Sequence, residues 1–486
     1  MAATSVKKGA APDFSSFANV IDGRLVTGVT TSFGLNPATE KPNPKVPIAT
    51  LDDVNFAVEA AQRASKSWVK TTLAERAAAV NAFAAAITGN RDQFAGLLTQ
   101  EQGKPLAEAC GEVDAGSFWL TETAKLGLQD EIIEDSSDRR VTVRYTPLGV
   151  AVGIIPWNFP VQQTCGKIGP AVMTGNSIIL KPSPFTPYCA LKLGELAQQF
   201  FPPGVIQVLN GDDNLGPWLT THRGINKISF TGSTATGRRI MQAVAGSFKR
   251  VTLEMGGNDA AIVCEDVDVG SVVKKVAGLA FTNAGQVCMA IKRIFVHAGI
   301  YEPFREALVN YMRSLKVGDG ADPGVHVGPI QNMVQYKKVK SYIEEVQGQG
   351  LKSTAGDQEL KPEGFFVNPM LVERPPDDAR IVVEEPFGPI VPILTWEKEE
   401  EVIKRANNTT MGLGASVWSK DKVRGKRIAE QLEAGTVWIN THLEPSPTIP
   451  FGGFKDSAVG VEYSTAGMRA FCNLQAIVKK KSAEEM

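Results

Sequence analysis

The chain has 486 residues of which 43% are hydrophobic, enough for two or three domains with a sizeable core, and its 51 basic residues nearly cancel 52 acidic ones. That balance excludes the one-signed field that gathers nucleic acid or an anionic membrane, and no run of about 18 apolar residues is present to span a bilayer. Small-molecule chemistry is the expectation. The six cysteines, at positions 110, 165, 189, 264, 288 and 472, form no C-x-x-C pair and no cluster with the four histidines, so neither a metal site nor a disulfide framework is expected.

The first residues, Met-Ala-Ala-Thr-Ser-Val-Lys-Lys, lack the apolar centre of a secretory signal, the end Ala-Glu-Glu-Met is no peroxisomal address, and the first arginine, Arg24, comes late for a mitochondrial presequence. Cytoplasmic residence is therefore expected. From Asp52 to about Gln102 apolar residues recur at helical spacing (Val54, Ala57, Val58, Ala61, then Val80, Phe83, Ala84), which predicts packing helices. Val141-Thr-Val-Arg-Tyr145 alternates as a strand does, and Gln475-Ala-Ile-Val-Lys479 repeats the pattern near the end.

Between Gly149 and Glu254 apolar strands alternate with helices: strands at 150–155, 177–180, 205–209, 227–230 and 250–253, with helices after Pro160, from Pro187 and from Ser233. This pattern predicts an α/β fold with a doubly wound parallel sheet whose ligands sit at the carboxyl ends of its strands. A second αβ unit follows from Met255: a strand at 260–263, a helix from Asp268 to about Asn283, a strand at 293–297, helices near 301–315 and 331–347, and strands near Phe365, Ile390, Ala415 and Val437. The polar stretch 346–364 is expected to be a surface excursion, and the Pro-rich segment 375–379 a connection.

Chemistry-bearing residues fall at the ends of these elements. Cys288, in Gly285-Gln-Val-Cys-Met289, lies in a connection between helix and strand, where a thiol is either a nucleophile or a small buried apolar group. Glu254, in Val251-Thr-Leu-Glu-Met-Gly-Gly257, offers a carboxylate at a strand end. Phe230-Thr-Gly-Ser-Thr-Ala-Thr-Gly237 opens a helix after a strand, so Gly232 and Ser233 either face a pyrophosphate or simply cap the helix; Arg238 and Arg239 stand where a P-loop needs Lys and Ser/Thr. The side-chain amide of Asn158, in Pro156-Trp-Asn-Phe-Pro160, is suited to donate to an oxyanion, or to hold a turn.

These stretches, with Glu384-Glu-Pro-Phe-Gly-Pro389 and in this order, resemble the aldehyde dehydrogenase superfamily from about Phe17 to about Lys480, with the hydrolytic, succinate-semialdehyde-like branch nearest. The resemblance implies oxidation of an aldehyde to the carboxylic acid with NAD or NADP. Cys288 would form a thiohemiacetal and then a thioester, Asn158 would complete an oxyanion hole with the backbone N–H of Cys288, and Glu254 would activate the hydrolytic water. Retention of Glu254 separates the chain from coenzyme-A-acylating relatives. Lys167 matches a lysine that supports the acid–base network, and the glutamate that many relatives carry near the C-terminus is matched here by Asn473.

By the same resemblance Ile154, Pro156, Trp157, Lys181, Ser183, Gly232, Ser233, Gly256, Glu385 and Phe387 would contact the coenzyme. Pro184 stands where a ribose-binding glutamate is usual, which opens the site to NADP as well as NAD. Substrate contacts would come from Phe159, Gln162, Gln163, Gly166, Thr282, Val287, Met289, His442, Leu443 and Glu444. Gly166 replaces the arginine by which succinate-semialdehyde enzymes hold a carboxylate; with Gln163 and Thr282 it suggests a wide tunnel for a bulky or polyfunctional aldehyde. Glu444 and His442 would touch a polar or cationic tail, or stand at the rim in water.

The implied organisation is a coenzyme-binding domain over 1–123 and 146–254, a catalytic α/β domain over 255–440, a β oligomerisation arm over 124–145 and 463–486, and a substrate-tunnel loop with return segment over 441–462. The arm would join a homodimer or homotetramer. Two other readings compete: the same fold kept as a binding or structural protein with little turnover, and a cysteine hydrolase. Coenzyme-dependent turnover separates the oxidoreductase from both.

Overall fold

The structure is a computed structural model that describes residues 2–5 and 12–481; the ends of the expected first and last segments, residues 1, 6–11 and 482–486, lie outside the described residues. Four helices, α1 (Leu51–Trp68), α2 (Leu73–Gly89), α3 (Arg91–Gln102) and α4 (Leu106–Lys125), form the N-terminal layer. Thr50 and Asp53, and Thr72 and Glu75, close capping boxes that fix the starts of α1 and α2.

The first sheet has a parallel centre. Its strands Val150–Ile154, Ser177–Lys181, Ile206–Val208, Lys227–Thr231 and Arg250–Glu254 lie side by side in the spatial order third, second, first, fourth, fifth. They alternate with α5 (Pro160–Met173), α6 (Tyr188–Ala197), α7 (Leu215–Thr221) and α8 (Thr234–Ala245). Strand pleating sends Ile178 and Leu180 into a core with α2 to α6, and Ile179 into a second core with α1, α7 and α8 on the other face. The order reverses between Val150–Ile154 and Lys227–Thr231, so a crevice opens outside their carboxyl ends. Antiparallel strands Asn19–Ile21 and Arg24–Thr27, which precede the stretch read for elements in the sequence, extend one edge.

The second sheet takes Asp259–Val263, Ile291–His297, Met370–Glu373, Ile390–Trp396, Gly414–Trp418 and Thr436–Ile439 in the spatial order third, fourth, second, first, fifth, sixth, all parallel. Helices α9 (Val269–Phe281), α10 (Tyr301–Ser314) and α11 (Met333–Gly348) pack on it. Two expectations shift here. The strand placed near Phe365 begins at Met370, and the polar stretch after α11 contributes an antiparallel edge strand, Ser353–Ala355. A separate antiparallel sheet pairs Arg139–Pro147 with Glu131–Asp135 on one side and Cys472–Lys480 on the other. Among the described residues no helix is long and apolar enough to cross a membrane.

Candidate active site

The loop that carries Cys288 is built from unusual backbone. After α9, Asn283, Ala284 and Gly285 take left-handed φ values of 47°, 55° and 71° in succession, a costly run for the two residues with a Cβ. Glycine is required at 285, because a Cβ there would fall 2.3 Å from the Gly388 carbonyl oxygen. Gln286 pins the turn: its Nε2 donates to the carbonyls of Asn283 (2.9 Å) and Pro329 (3.3 Å), and its Oε1 accepts from the N–H of Gln331 (2.9 Å). Cys288 is enclosed by protein but keeps part of its surface open to a cavity of about 520 Å³, whereas Cys165, Cys189, Cys264 and Cys472 are buried.

Two groups meet the thiol there. Glu254 ends its strand inside the protein, and burial pushes its carboxyl up to about 8. The facing Cys288 thiol opposes that rise without completing a hydrogen bond of ordinary geometry, and neither carboxylate oxygen has another partner. The same burial, with the Glu254 charge, drives the thiol well above its ordinary value, and the Lys292 cation pulls it back. Asn158 is buried with its Nδ2 donating to the Gln286 carbonyl at 3.0 Å; the amide's second N–H is left for an oxyanion.

Behind this cluster lies Lys167, whose Nζ donates to Glu462 Oε1 (2.7 Å), Thr231 Oγ1 (3.0 Å) and Ser229 Oγ (3.1 Å). Glu462 is thus the late carboxylate of the network, and the match to Asn473 is corrected. Asn473 sits on the strand Cys472–Lys480 opposite Thr146, exposed and outside the site. Lys292 was not singled out in the sequence, because a lysine four residues past the cysteine reads as the start of a strand. It is buried, donates to the carbonyls of Val287 (2.8 Å) and Cys288, and pairs with Glu385 Oε1 at 3.2 Å.

One arm of the cavity is lined by Pro156, Trp157, Gly232, Ser233, Gly256, Glu385 and Phe387, together with Gln335 and Lys338 from α11. Ser233 caps α8, accepting from the Thr236 N–H at 3.3 Å, and no acidic residue occupies that helix's first turn. A Cβ on Gly256 would fall 2.3 Å from Glu385 Oε2, and Phe387, at a φ of 51°, meets Trp157 edge to face at 5.3 Å. These features fit a dinucleotide: a helix N-terminus for pyrophosphate at the switch point, glycines that admit close approach, and an acid for ribose hydroxyls. Ile154, Lys181 and Ser183 stand back from this wall. Burial lowers the Lys181 ammonium, which the Asp213 and Asp212 charges partly restore, and Ser183 accepts from the Phe185 N–H. Pro184 lines a separate hollow beside Asp212 and Asp213.

The other arm is apolar. Trp119, Val287, Met289, Phe451 and Tyr463 form a hydrophobic cluster against which Ala115, Phe159, Leu443 and Cys288 itself pack. Gln162, Gln163 and Glu444 also reach this wall. Three expected contacts do not. Gly166 is buried in α5 behind Tyr463 and Trp119, where an added Cβ would lie 3.3 Å from the tyrosine ring. Tyr463 therefore fills the room that glycine opens. Thr282 turns away to donate to Glu108 at 3.0 Å. His442 is neither a tail contact nor a rim residue: it is fully buried, bonded to the Met289 carbonyl at 2.8 Å, packed on Trp438, and pushed by burial down to about 3. It supports the cavity wall as a neutral ring.

Comparison with known proteins matches the family model described as Aldehyde dehydrogenase family to residues 30–477. A putative aldehyde dehydrogenase, FUS7 of Gibberella moniliformis, is 41% identical over 464 residues, covering 96% of this chain and 99% of that protein. The NADP(+) succinate-semialdehyde dehydrogenase GabD of Escherichia coli is 37% identical, covering 90% and 92%. Among solved structures, betaine aldehyde dehydrogenase of Staphylococcus aureus in complex with NAD+ superposes with a TM-score of 0.92 at 31% identity, over 96% of this chain and 95% of that one. Together with the thiol, acid and amide gathered at one cavity, these matches place the chain in the aldehyde dehydrogenase family, as an NAD(P)-dependent enzyme that oxidises an aldehyde to the carboxylic acid.

Proposed function

We propose that Cys288 is the nucleophile of this oxidation, Asn158 its oxyanion donor and Glu254 its base, and that the apolar arm receives an apolar or aromatic aldehyde. The observation that carries the reading is the placement of Cys288 at the junction of the two arms, facing Glu254 and Asn158. Ionised Glu254 takes the thiol proton as sulfur bonds to the aldehyde carbon. The resulting oxyanion is held by the free N–H of Asn158 and the backbone N–H of Cys288. Bound NAD or NADP supplies the hydride acceptor. What remains on Cys288 is a thioester; once the proton taken from the thiol has passed from Glu254 to solvent, the carboxylate draws a proton from the attacking water and returns it to the departing thiolate, releasing acid and free thiol. Burial does most to raise the Glu254 carboxyl; the Glu462 charge adds to that rise and the Lys167 cation opposes it.

Gly232 and Ser233 would hold the pyrophosphate, Lys181 and Ser183 the adenosine ribose, and Glu385 and Phe387 the nicotinamide end, with Pro156, Trp157 and Gly256 lining the path in front of Ile154. The coenzyme domain is drawn over the first sheet, the catalytic domain over the second, and the arm over the three-stranded sheet that would join subunits as a homodimer or homotetramer. Six free cysteines favour a reducing compartment, the cytoplasm.

On the substrate side the cavity wall carries no arginine or lysine among the described residues; Lys338 stands with Glu385 in the coenzyme arm. A carboxylate tail has no counter-charge there. Reduced coenzyme should therefore appear, in a panel assayed with NAD and NADP separately, at least about tenfold faster per kcat/KM with aryl and alkyl aldehydes than with succinate semialdehyde. Preference for the carboxylated aldehyde would reject the apolar substrate class. Full activity of Cys288→Ala would reject the nucleophile.

A further inference from the structure

Three charged residues that line no part of the cavity stand directly behind it, Lys104 and Glu112 buried and Glu108 half-buried. Lys104 precedes α4, and Glu108 and Glu112 stand one turn apart within it, on the same face. Glu112 Oε1 accepts from the backbone N–H groups of Val161 (2.8 Å) and Gln162 (3.2 Å), the first turn of α5. Its other oxygen pairs with the Lys104 ammonium, both side chains being 1% exposed. Lys104 Nζ in turn donates to the Asn158 carbonyl at 3.0 Å and lies 3.8 Å from the centre of the Phe159 ring. This pair grips the turn of Asn158 from behind.

Glu108 grips the other half of the site. Its carboxylate accepts from Thr282 Oγ1 (3.0 Å) and from the Asn283 N–H (3.1 Å), where the left-handed run leading to Cys288 begins. The two grips meet at one atom, since Asn283 Nδ2 also donates to the Asn158 carbonyl, at 3.2 Å. One helix therefore holds both the loop of the amide and the loop of the thiol. Burying the charges of Lys104 and Glu112 is a poor way to stabilise a fold, because apolar side chains of similar volume commonly serve as well. Fixing two loops to one rigid element is a better account of their cost.

We propose that Lys104, Glu108 and Glu112 are positioning residues that set the Asn158 amide in register with the Cys288 thiol, an inference that rests on the roles given to those two groups above. A displacement of about 1 Å in such a register costs roughly a hundredfold in rate. In the full-length enzyme, Glu112→Gln and Glu108→Gln should each lower kcat/KM by about 30-fold or more, with coenzyme affinity by calorimetric titration unchanged within twofold. The double variant Lys104→Met/Glu112→Gln, which removes the buried charges together, should keep the wild-type melting temperature within a few degrees while losing rate as Glu112→Gln does. Combining Glu112→Gln with Asn158→Ala should add no further loss beyond Asn158→Ala alone, because the first acts through the second.

If Asn158→Ala is slow but Glu112→Gln stays within threefold of wild type, or the two losses multiply in full, the positioning role is overturned and the oxyanion role stands. If Asn158→Ala itself retains the wild-type rate, the oxyanion role fails and this inference with it. A rate loss in the double variant that comes only with a collapse of the melting temperature and of coenzyme binding would also overturn it, in favour of a purely structural triad.

Discussion

Glu254 carries a carboxyl that burial lifts to about 8, so at pH 7 it is largely protonated and at pH 9 largely ionised. A base must be ionised to accept a proton, and the steady-state rate should rise across that interval. Glu254→Gln should slow both the first release of reduced coenzyme and the steady-state turnover by about a hundredfold or more, and the alkaline rise should vanish. Stability has the opposite sign. The folded value lies above the unfolded one, so the contribution of this group is full below about 4.5 and is lost as pH rises through about 8. Glu254→Gln should therefore gain melting temperature relative to wild type as pH goes from 5 to 9, by the equivalent of a few kcal/mol. An unchanged pH profile in the variant would remove Glu254 from both roles. Lys292 acts on the neighbouring thiol as a charge that favours its ionised form. Lys292→Met should slow alkylation of Cys288 by iodoacetamide about tenfold at pH 8; an equal rate would show the cation to be only a loop tie.

At the scale of the element, the turn between α9 and the strand Ile291–His297 is where backbone and chemistry meet. Gly285→Ala would combine a left-handed φ of 71° with a Cβ 2.3 Å from the Gly388 carbonyl oxygen, so neither relaxation of the turn nor of the Pro386 to Pro389 segment is free. A loss of roughly 2 kcal/mol or more is expected, with Glu385 displaced from the cavity and coenzyme affinity reduced; chemical denaturation and calorimetric titration read both. This coupling is not legible in the sequence, where Gly285 and Gly388 are distant and belong to separate motifs. What was legible followed from local pattern: alternating apolar strands and helices implied a doubly wound sheet with ligands at the carboxyl ends of its strands, and the motif order pointed to Cys288, Glu254 and Asn158, which line one cavity. What was missed depended on contact across the chain. Lys167 finds Glu462 295 residues away, a pairing that spacing cannot reveal. The direction of His442 was decided by Met289 and Trp438, neither of which is its neighbour in sequence. Helix α4, which brings Trp119, Glu108 and Glu112, leaves a signal in the helical spacing of Ala109, Val113, Gly116 and Leu120, but not one that says which loops it holds.

For the whole molecule the remaining question is what covers the three-stranded sheet. Its outer strands, Cys472–Lys480 and Glu131–Asp135, each have one strand partner among the described residues, so both edges present backbone groups that a further strand can pair. The apolar side chains on them are turned outward: Leu474 is 66% exposed, Val478 57%, Ile133 62% and Ile132 57%. A nine-residue edge with such side chains is an aggregation hazard unless it is occupied, and its lysines guard only the last two positions, Lys480 being tied to Asp138 at 2.8 Å. A second copy of the chain is the occupant that leaves no free edge in a closed assembly. Leu474 and Val478 are four residues apart on the strand and so share a face, and Leu474→Glu/Val478→Glu places two charges on that face without touching the cavity. Light scattering on the eluting protein should then give the monomer mass of 52.2 kDa for the variant and an integral multiple of it for wild type. A wild-type chain that elutes as a monomer, or a variant that keeps the wild-type mass, would place the contact surface elsewhere on the molecule.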